Sequence, residues 1–273
     1  MTTIDGSTLE GVSATTLWTL HNRASEAKRR DGSLEDPYAV ALFDTIDYDY
    51  LKFGNPNQSH ALRAKAFDAA ATVYLRTHPN ASVVALAEGL QTSFWRLQSM
   101  GLADNLRWYS VDLPAVVTLR EQLLPPDDRI TALAQSALDF SWMDQVDGTD
   151  GAFITAEGLL MYLEPDDVRA LIAACATRFP GGQLMFDSIP TWLSDRTLKG
   201  WKLSERYTAP PMPFGVSPDE AIAMALQIPG VVAARDVPHM PGRGVFKLFS
   251  SPTLDRLGVF HRNRPSMTLV TFG

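Results

Sequence analysis

Carboxylates stand in this 273-residue chain where apolar runs stop: Glu88, Asp112, Asp139, Glu157 and Asp187. One acid after a strand is ordinary. Five at successive strand ends point to a shared crevice, because ligands of open α/β sheets bind beyond the carboxyl ends of the strands. Asp112 lies 23 positions after Gly89 (112 − 89). In nucleotide-binding sheets about 20 residues separate the glycine turn from the carboxylate that takes the ribose hydroxyls. The two oxygens of such an acid each accept one proton of a vicinal diol. Asp112 is equally placed to cap a helix starting at Pro114, and the two roles are compatible. Asp139 and Phe140 offer a carboxylate for an adenine amino group and a ring for its face.

The elements that position these acids follow from the pattern around them. Residues 83–87 are apolar at every position, as expected of a central parallel strand covered on both faces. Gly89 then permits a tight turn, and Thr92 or Ser93 is placed to cap the next helix. Further strands are expected over residues 107–111, 130–133, 151–156 and 183–186, the order of a doubly wound sheet. Upstream, residues 12–76 read as helical, with Leu17, Trp18 and Leu20 on one side and Asp36-Pro37 opening a second helix that covers the site. Residues 188–216 are rich in proline and aromatic side chains, among them Trp192 and Trp201, and read either as a substrate-covering lid or as a packed helical insertion. Ser217-Pro218-Asp219-Glu220 starts a helix. Residues 231–237 then read as a strand, 245–257 mainly as a helix and 266–272 as a last strand.

The segments VVALAEGLQTSFWRL, WYSVDLPAVV, SALDFSW and ITAEGLLMYLEPDDV, with LEDPYAVALF upstream, resemble the signature blocks of the leucine carboxyl methyltransferase and tetracenomycin-type polyketide O-methyltransferase family. The resemblance covers residues 12–171. It implies an α/β, Rossmann-like class I methyltransferase fold with a mostly parallel sheet, one antiparallel closing strand, an amino-terminal helical cover and a lid insertion. Residues 1–80 are then the cover and 81–273 the sheet domain, one structural unit with the insertion at 188–216. The implied cofactor is S-adenosylmethionine. By the same resemblance Gly89 lets the backbone approach the methionine part, Asp112 and Leu113 hold the ribose end, and Asp139 and Phe140 flank the adenine. Glu157 and Gly158 line the cofactor beneath the sulfonium, and Tyr162 faces the substrate. Arg63 matches the arginine that pairs with the methionine carboxylate, and Arg23 matches a basic residue of the first helix that shares this task.

The glycine block departs from the family pattern, reading Ala87, Glu88, Gly89, Leu90, Gln91, Thr92 where Gly-Ala-Gly, a hydrophobic residue, Asp and Thr are usual. Ala87 adds a methyl group beside the ligand path. Glu88 brings a carboxylate that either opposes the cofactor's own carboxylate or attracts its ammonium or sulfonium, and Gln91 keeps hydrogen bonding without charge. These departures keep a second reading open, a methyltransferase fold that binds without catalysis. The lack of a full Gly-x-Gly-x-x-Gly weighs against a nucleotide-sugar or nicotinamide enzyme on a related sheet.

Methyl transfer needs alignment of an oxygen nucleophile and exclusion of water. A carboxylate nucleophile is already ionised, whereas a phenol with a pKa of about 10 benefits from a base. The base candidates are Asp187, which equally suits a helix cap, Glu157 and His239. Trp192 and Trp201, with Tyr162, are expected to position a small or polyketide-like acceptor. A net charge of −7 argues against a nucleic-acid surface. The five histidines show no metal-ligand spacing, and the single cysteine, Cys175, excludes an intrachain disulfide. No apolar stretch approaches the roughly 20 residues of a membrane span, the first residues lack the features of a secretory leader, and cytoplasmic residence is the expectation.

Overall fold

A strand whose every side chain is apolar must be covered on both faces. In β1 (Ser82–Leu86), Val83 and Ala85 join one hydrophobic cluster while Val84 and Leu86 join the other. The computed structural model describes residues 4–9, 11–102 and 105–273; Met1, Thr2 and Thr3, part of the stretch read for a leader, lie outside these. β1 sits within a seven-stranded sheet with β2 (Arg107–Asp112), β3 (Ile130–Ala134), β4 (Ala152–Ala156), β5 (Gln183–Ser188), β6 (Val231–Asp236) and β7 (Ser266–Phe272). The order is β6-β7-β5-β4-β1-β2-β3. All pairs from β5 through β3 are parallel, and β7 runs antiparallel to both its neighbours. The strand order reverses between β1 and β4, which makes their carboxyl ends the switch point where a ligand crevice opens.

Three helices precede the sheet: α1 (Thr15–Ala27), α2 (Pro37–Thr45) and α3 (Ser59–Thr77). α2 opens as its sequence predicts, with Pro37 in the first turn and the Asp36 carboxylate accepting from the Ala39 N–H at 2.9 Å. α4 (Ser93–Ser99) follows the glycine turn, and α5 (Pro114–Leu123) follows β2. The hydroxyls of Thr92 and Ser93 do not cap α4. They donate instead to Asp36, at 2.7 Å, and to Asp68, at 2.9 Å, because those buried acids hold the stronger claim on a donor. α6 (Pro165–Arg178) leads into β5.

Residues 188–216 form α7 (Thr191–Leu198) and a small antiparallel ribbon, Lys202–Ser204 with Tyr207–Thr208. The ribbon is fastened to the helical cover: Ser204 donates to the Lys52 carbonyl at 2.5 Å, and Arg206 pairs with Asp49 at 2.6 Å. α8 (Pro218–Leu226) begins with a capping box between Ser217 and Glu220. The helix expected over 245–257 is broken. A short 3₁₀ turn, Gly244–Lys247, is followed by two separate helices, α9 (Pro252–Asp255) and α10 (Gly258–Asn263). Pro252, which favours a first turn over a helix interior, starts the second piece. No described helix is long and apolar enough to cross a membrane.

Candidate active site

The turn after β1 is the tightest piece of backbone in the site. Gly89 has φ +58°, and a Cβ there would stand 2.4 Å from the Thr16 hydroxyl oxygen, which itself accepts from the Leu90 N–H at 2.6 Å. Glycine is thus required twice, for its dihedral and for the approach of α1. Ala87 also carries a positive φ, +48°, and is the sole non-glycine among the described residues to do so. Asp112 braces the turn from the neighbouring strand. Its Oδ2 accepts from the Gly89 N–H at 2.6 Å and its Oδ1 from the Leu113 N–H at 2.7 Å. Each oxygen keeps a second lone pair. Burial raises the pKa of Asp112, against the pull of the two N–H donors and Arg120.

Glu88 has a structural partner that the sequence did not reveal. Arg120, from α5, donates to the carbonyls of Gly89 and Gln91 at 2.7 and 2.8 Å and pairs with the Glu88 carboxylate at 2.9 Å. The acid is therefore directed beneath the turn, on the side of Trp108 and Ser110, and burial pushes its pKa up. Glu88 thus holds the turn and also lies in the wall of the cavity at the strand ends.

A chain of buried charges joins the cover to the strand ends. Asp36 takes Arg23 and Arg96, each at 2.8 Å, and Arg96 reaches on to Asp68 at 2.6 Å. Burial acts to raise the pKa of Asp36, but Arg23, Arg96 and the Thr92 and Ala39 donors outweigh it and hold the carboxyl below its ordinary value. Gln91 accepts from Arg96 at 3.2 Å and donates to Glu157 at 2.6 Å. Arg63 completes the chain, bonding Glu157 through Nε at 3.0 Å and Asp187 through Nη1 at 2.9 Å; Asp187 also accepts from the Gly158 N–H at 2.6 Å. Three guanidinium groups here face four carboxylates. The excess of negative charge, with burial raising the pKa of Glu157, suits a cationic ligand.

These groups open on one cavity of about 780 Å³. Arg63, Gly89, Asp112, Leu113, Glu157, Gly158, Tyr162, Asp187 and Trp201 all lie in its wall, brought together from α3, the strand ends and the insertion. Burial raises the pKa of the Tyr162 phenol, while Thr15 and Arg63 act to lower it. Four expected residues are placed elsewhere. Arg23 is wholly buried behind the wall, tied to Asp36, Thr92 and the Leu90 carbonyl. Asp139 is exposed and caps the 3₁₀ helix Phe140–Gln145, which carries Phe140 away from the cavity; the wall there is made by residues 135–138. Trp192 sits on the outer side of α7, 48% exposed, with its indole N–H on the Asn263 carbonyl, while the next residue, Leu193, faces inward.

Other wall residues escaped the sequence reading. His60 lies one helical turn before Arg63 on α3, so the period of that helix was the available signal. Phe246 and Phe249 come from the broken segment after β6, where the expectation of one helix did not show which side chains face the cavity. His239 is in the wall, but its Nε2 lies 2.8 Å from the Pro265 carbonyl. That nitrogen must carry a proton, so it is no base toward the cavity.

The family model of the leucine carboxyl methyltransferases matches residues 16–176. The tetracenomycin polyketide synthesis O-methyltransferase TcmP of Streptomyces glaucescens is 31% identical over 226 residues, 82% of this chain and 81% of its own length. The S-adenosyl-L-methionine-dependent methyltransferase dpfgK of Gibberella zeae is 26% identical over 202 residues, 66% of this chain and 67% of its own. Among solved structures, a Thermobifida fusca protein assigned as a methyltransferase aligns with a TM-score of 0.56 at 17% identity, covering 95% of this chain and 97% of that one. This last likeness concerns the fold.

Proposed function

This chain belongs to the leucine carboxyl methyltransferase family, and we propose that it transfers a methyl group from S-adenosylmethionine to an oxygen of a small molecule. The observation that carries the reading is the convergence of Gly89, Asp112, Glu157 and Arg63 on a single cavity at the β1/β4 switch point. The residues fit the cofactor. Asp112 has lone pairs to spare for the ribose hydroxyls, and residues 135–138 provide the wall beside the adenine. Among the described residues Arg63 keeps Nη2 without a hydrogen bond, available for the methionine carboxylate, and the negative excess of the ion chain suits an ammonium and a sulfonium.

When bound, S-adenosylmethionine supplies a methyl group already activated by its sulfonium. The chain's task is to hold an oxygen in line with it and to keep water out. Tyr162 and Trp201 stand on the acceptor side of the wall with Met161 and Met212, an apolar enclosure suited to a polyketide-like molecule such as the likeness to TcmP suggests. Asp187 and Glu157 are both tied to Arg63, and His239 presents no lone pair through Nε2. An acceptor that arrives as an anion, a carboxylate above all, needs none of them as a base. Residues 188–216 then act as a lid, and residues 1–80 as a cover, over one sheet domain. The acidic charge and the single buried cysteine accord with a cytoplasmic enzyme.

Calorimetry and thermal shift with S-adenosylmethionine test the reading. Heat and a raised melting temperature are expected. Neither at millimolar ligand would leave a fold without its cofactor.

A further inference from the structure

His60 reaches the cavity with its protonation already decided by its neighbours. The Asn57 backbone N–H lies 2.9 Å from Asn22 Oδ1, and a backbone N–H can only donate, so that atom of the amide is the oxygen. The other, Nδ2, therefore carries the hydrogens, and it stands 2.6 Å from His60 Nδ1. Nδ1 must accept, which places the proton of the neutral ring on Nε2. Nε2 has no hydrogen-bond partner among the described residues, and the ring is part of the cavity wall. Trp18 meets the imidazole edge-on, with centroids 5.1 Å apart, and fixes its plane. Burial, reinforced by the positive charges of Arg63 and Arg23, keeps the ring neutral, well below its ordinary pKa.

We propose that His60 binds the methyl acceptor, donating a hydrogen bond from Nε2–H to an oxygen of a carboxylate or phenolate, and does not act as a base. The relay from Asn57 through Asn22 leaves no lone pair on the side facing the ligand. A neutral donor also serves the chemistry. It orients an anionic oxygen without the stronger, charge-assisted bond of a guanidinium, and so preserves more of that oxygen's nucleophilicity. The identity of the reaction rests on the methyltransferase reading above, whereas the state of the ring does not.

Nitrogen-15 NMR of the imidazoles in the ligand-free protein at pH 7 tests the first half, with the His60 signal assigned by its loss in His60→Gln. The Nε2–H tautomer is expected, and Asn22→Asp, which can only accept, should move the proton to Nδ1. The second half uses 2-naphthoate as the probe, added with S-adenosylhomocysteine. The His60 ring signals should shift saturably. His60→Phe should weaken naphthoate at least tenfold while S-adenosylhomocysteine affinity stays within twofold, and His60→Gln, which retains an N–H donor, should come within threefold of the wild type. An Nδ1–H or imidazolium ring at pH 7, no shift on adding naphthoate, or equal affinity in His60→Phe would each overturn the proposal. No heat from S-adenosylhomocysteine would overturn the methyltransferase reading instead, and the tautomer would still decide the role of the ring.

Discussion

The two ends of the cavity hold their shape by different means. At the strand ends, Arg96, Gln91, Glu157 and Arg63 are locked in a buried chain that reaches Asp36 and Asp68 in the cover. At the other end Met161 and Met212 pack with Trp201, while Phe246 and Phe249 pack on each other in the same wall, on a segment broken into short helices. A buried ion chain tolerates little change, because removing one partner strands another charge in low dielectric. Methionine and aromatic walls adapt. On the proposed methyltransferase reading, fixed cofactor binding belongs to the first end and freedom to change acceptor to the second, in keeping with the way one fold hosts many substrates.

Arg96→Met attacks the contrast hardest. It leaves Asp36 and Asp68 short of a buried partner, and unfolding in urea should show a loss of about 3–5 kcal/mol. A loss below about 1 kcal/mol would mean that the charges do not clamp the cover to the sheet. Asp112→Ala should weaken S-adenosylhomocysteine by about 1.5–3 kcal/mol in calorimetry, the range for hydrogen bonds to a charged group. An unchanged affinity would reduce Asp112 to a brace for Gly89. On the apolar side, Phe249→Ala should alter stability by less than about 1 kcal/mol, since the side chain is only half-buried. A larger loss would erase the distinction between the two ends.

The smallest effect is one of pH. The folded pKa of Glu88 is raised by burial, so its ionised form costs stability, fully above the folded value and not at all below the unfolded one. Relative to Glu88→Gln, the wild type should gain stability as pH falls from 7 toward the ordinary glutamate value of 4.5, measured by thermal melts across that range. A flat difference would show that Arg120 fully compensates the burial.

What was legible in the sequence follows the same division. The sheet and its acids were readable because strands covered on both faces are apolar throughout and end in conspicuous charge, as from Val83 to Glu88 and from Ala152 to Glu157. Asp139 was misplaced because local spacing does not say which way a 3₁₀ turn carries a side chain. Trp192 was misplaced by composition: aromatic content marks a segment but not which face of α7 looks inward. Arg120 and Arg23 act across distant parts of the chain, and pairing of that kind leaves no trace in sequence order. The segment carrying Phe246 reads as one helix, but Pro252 divides it into a 3₁₀ turn and two short helices, and its inward face could not be placed.

A crystal structure of the S-adenosylhomocysteine complex tests the convergence of these residues most directly. The account predicts the ribose hydroxyls at about 3 Å from the Asp112 carboxylate, with the amino-acid carboxylate on Arg63. A ligand bound elsewhere, leaving Asp112 on Gly89 alone and Arg63 on its two acids alone, would contradict it.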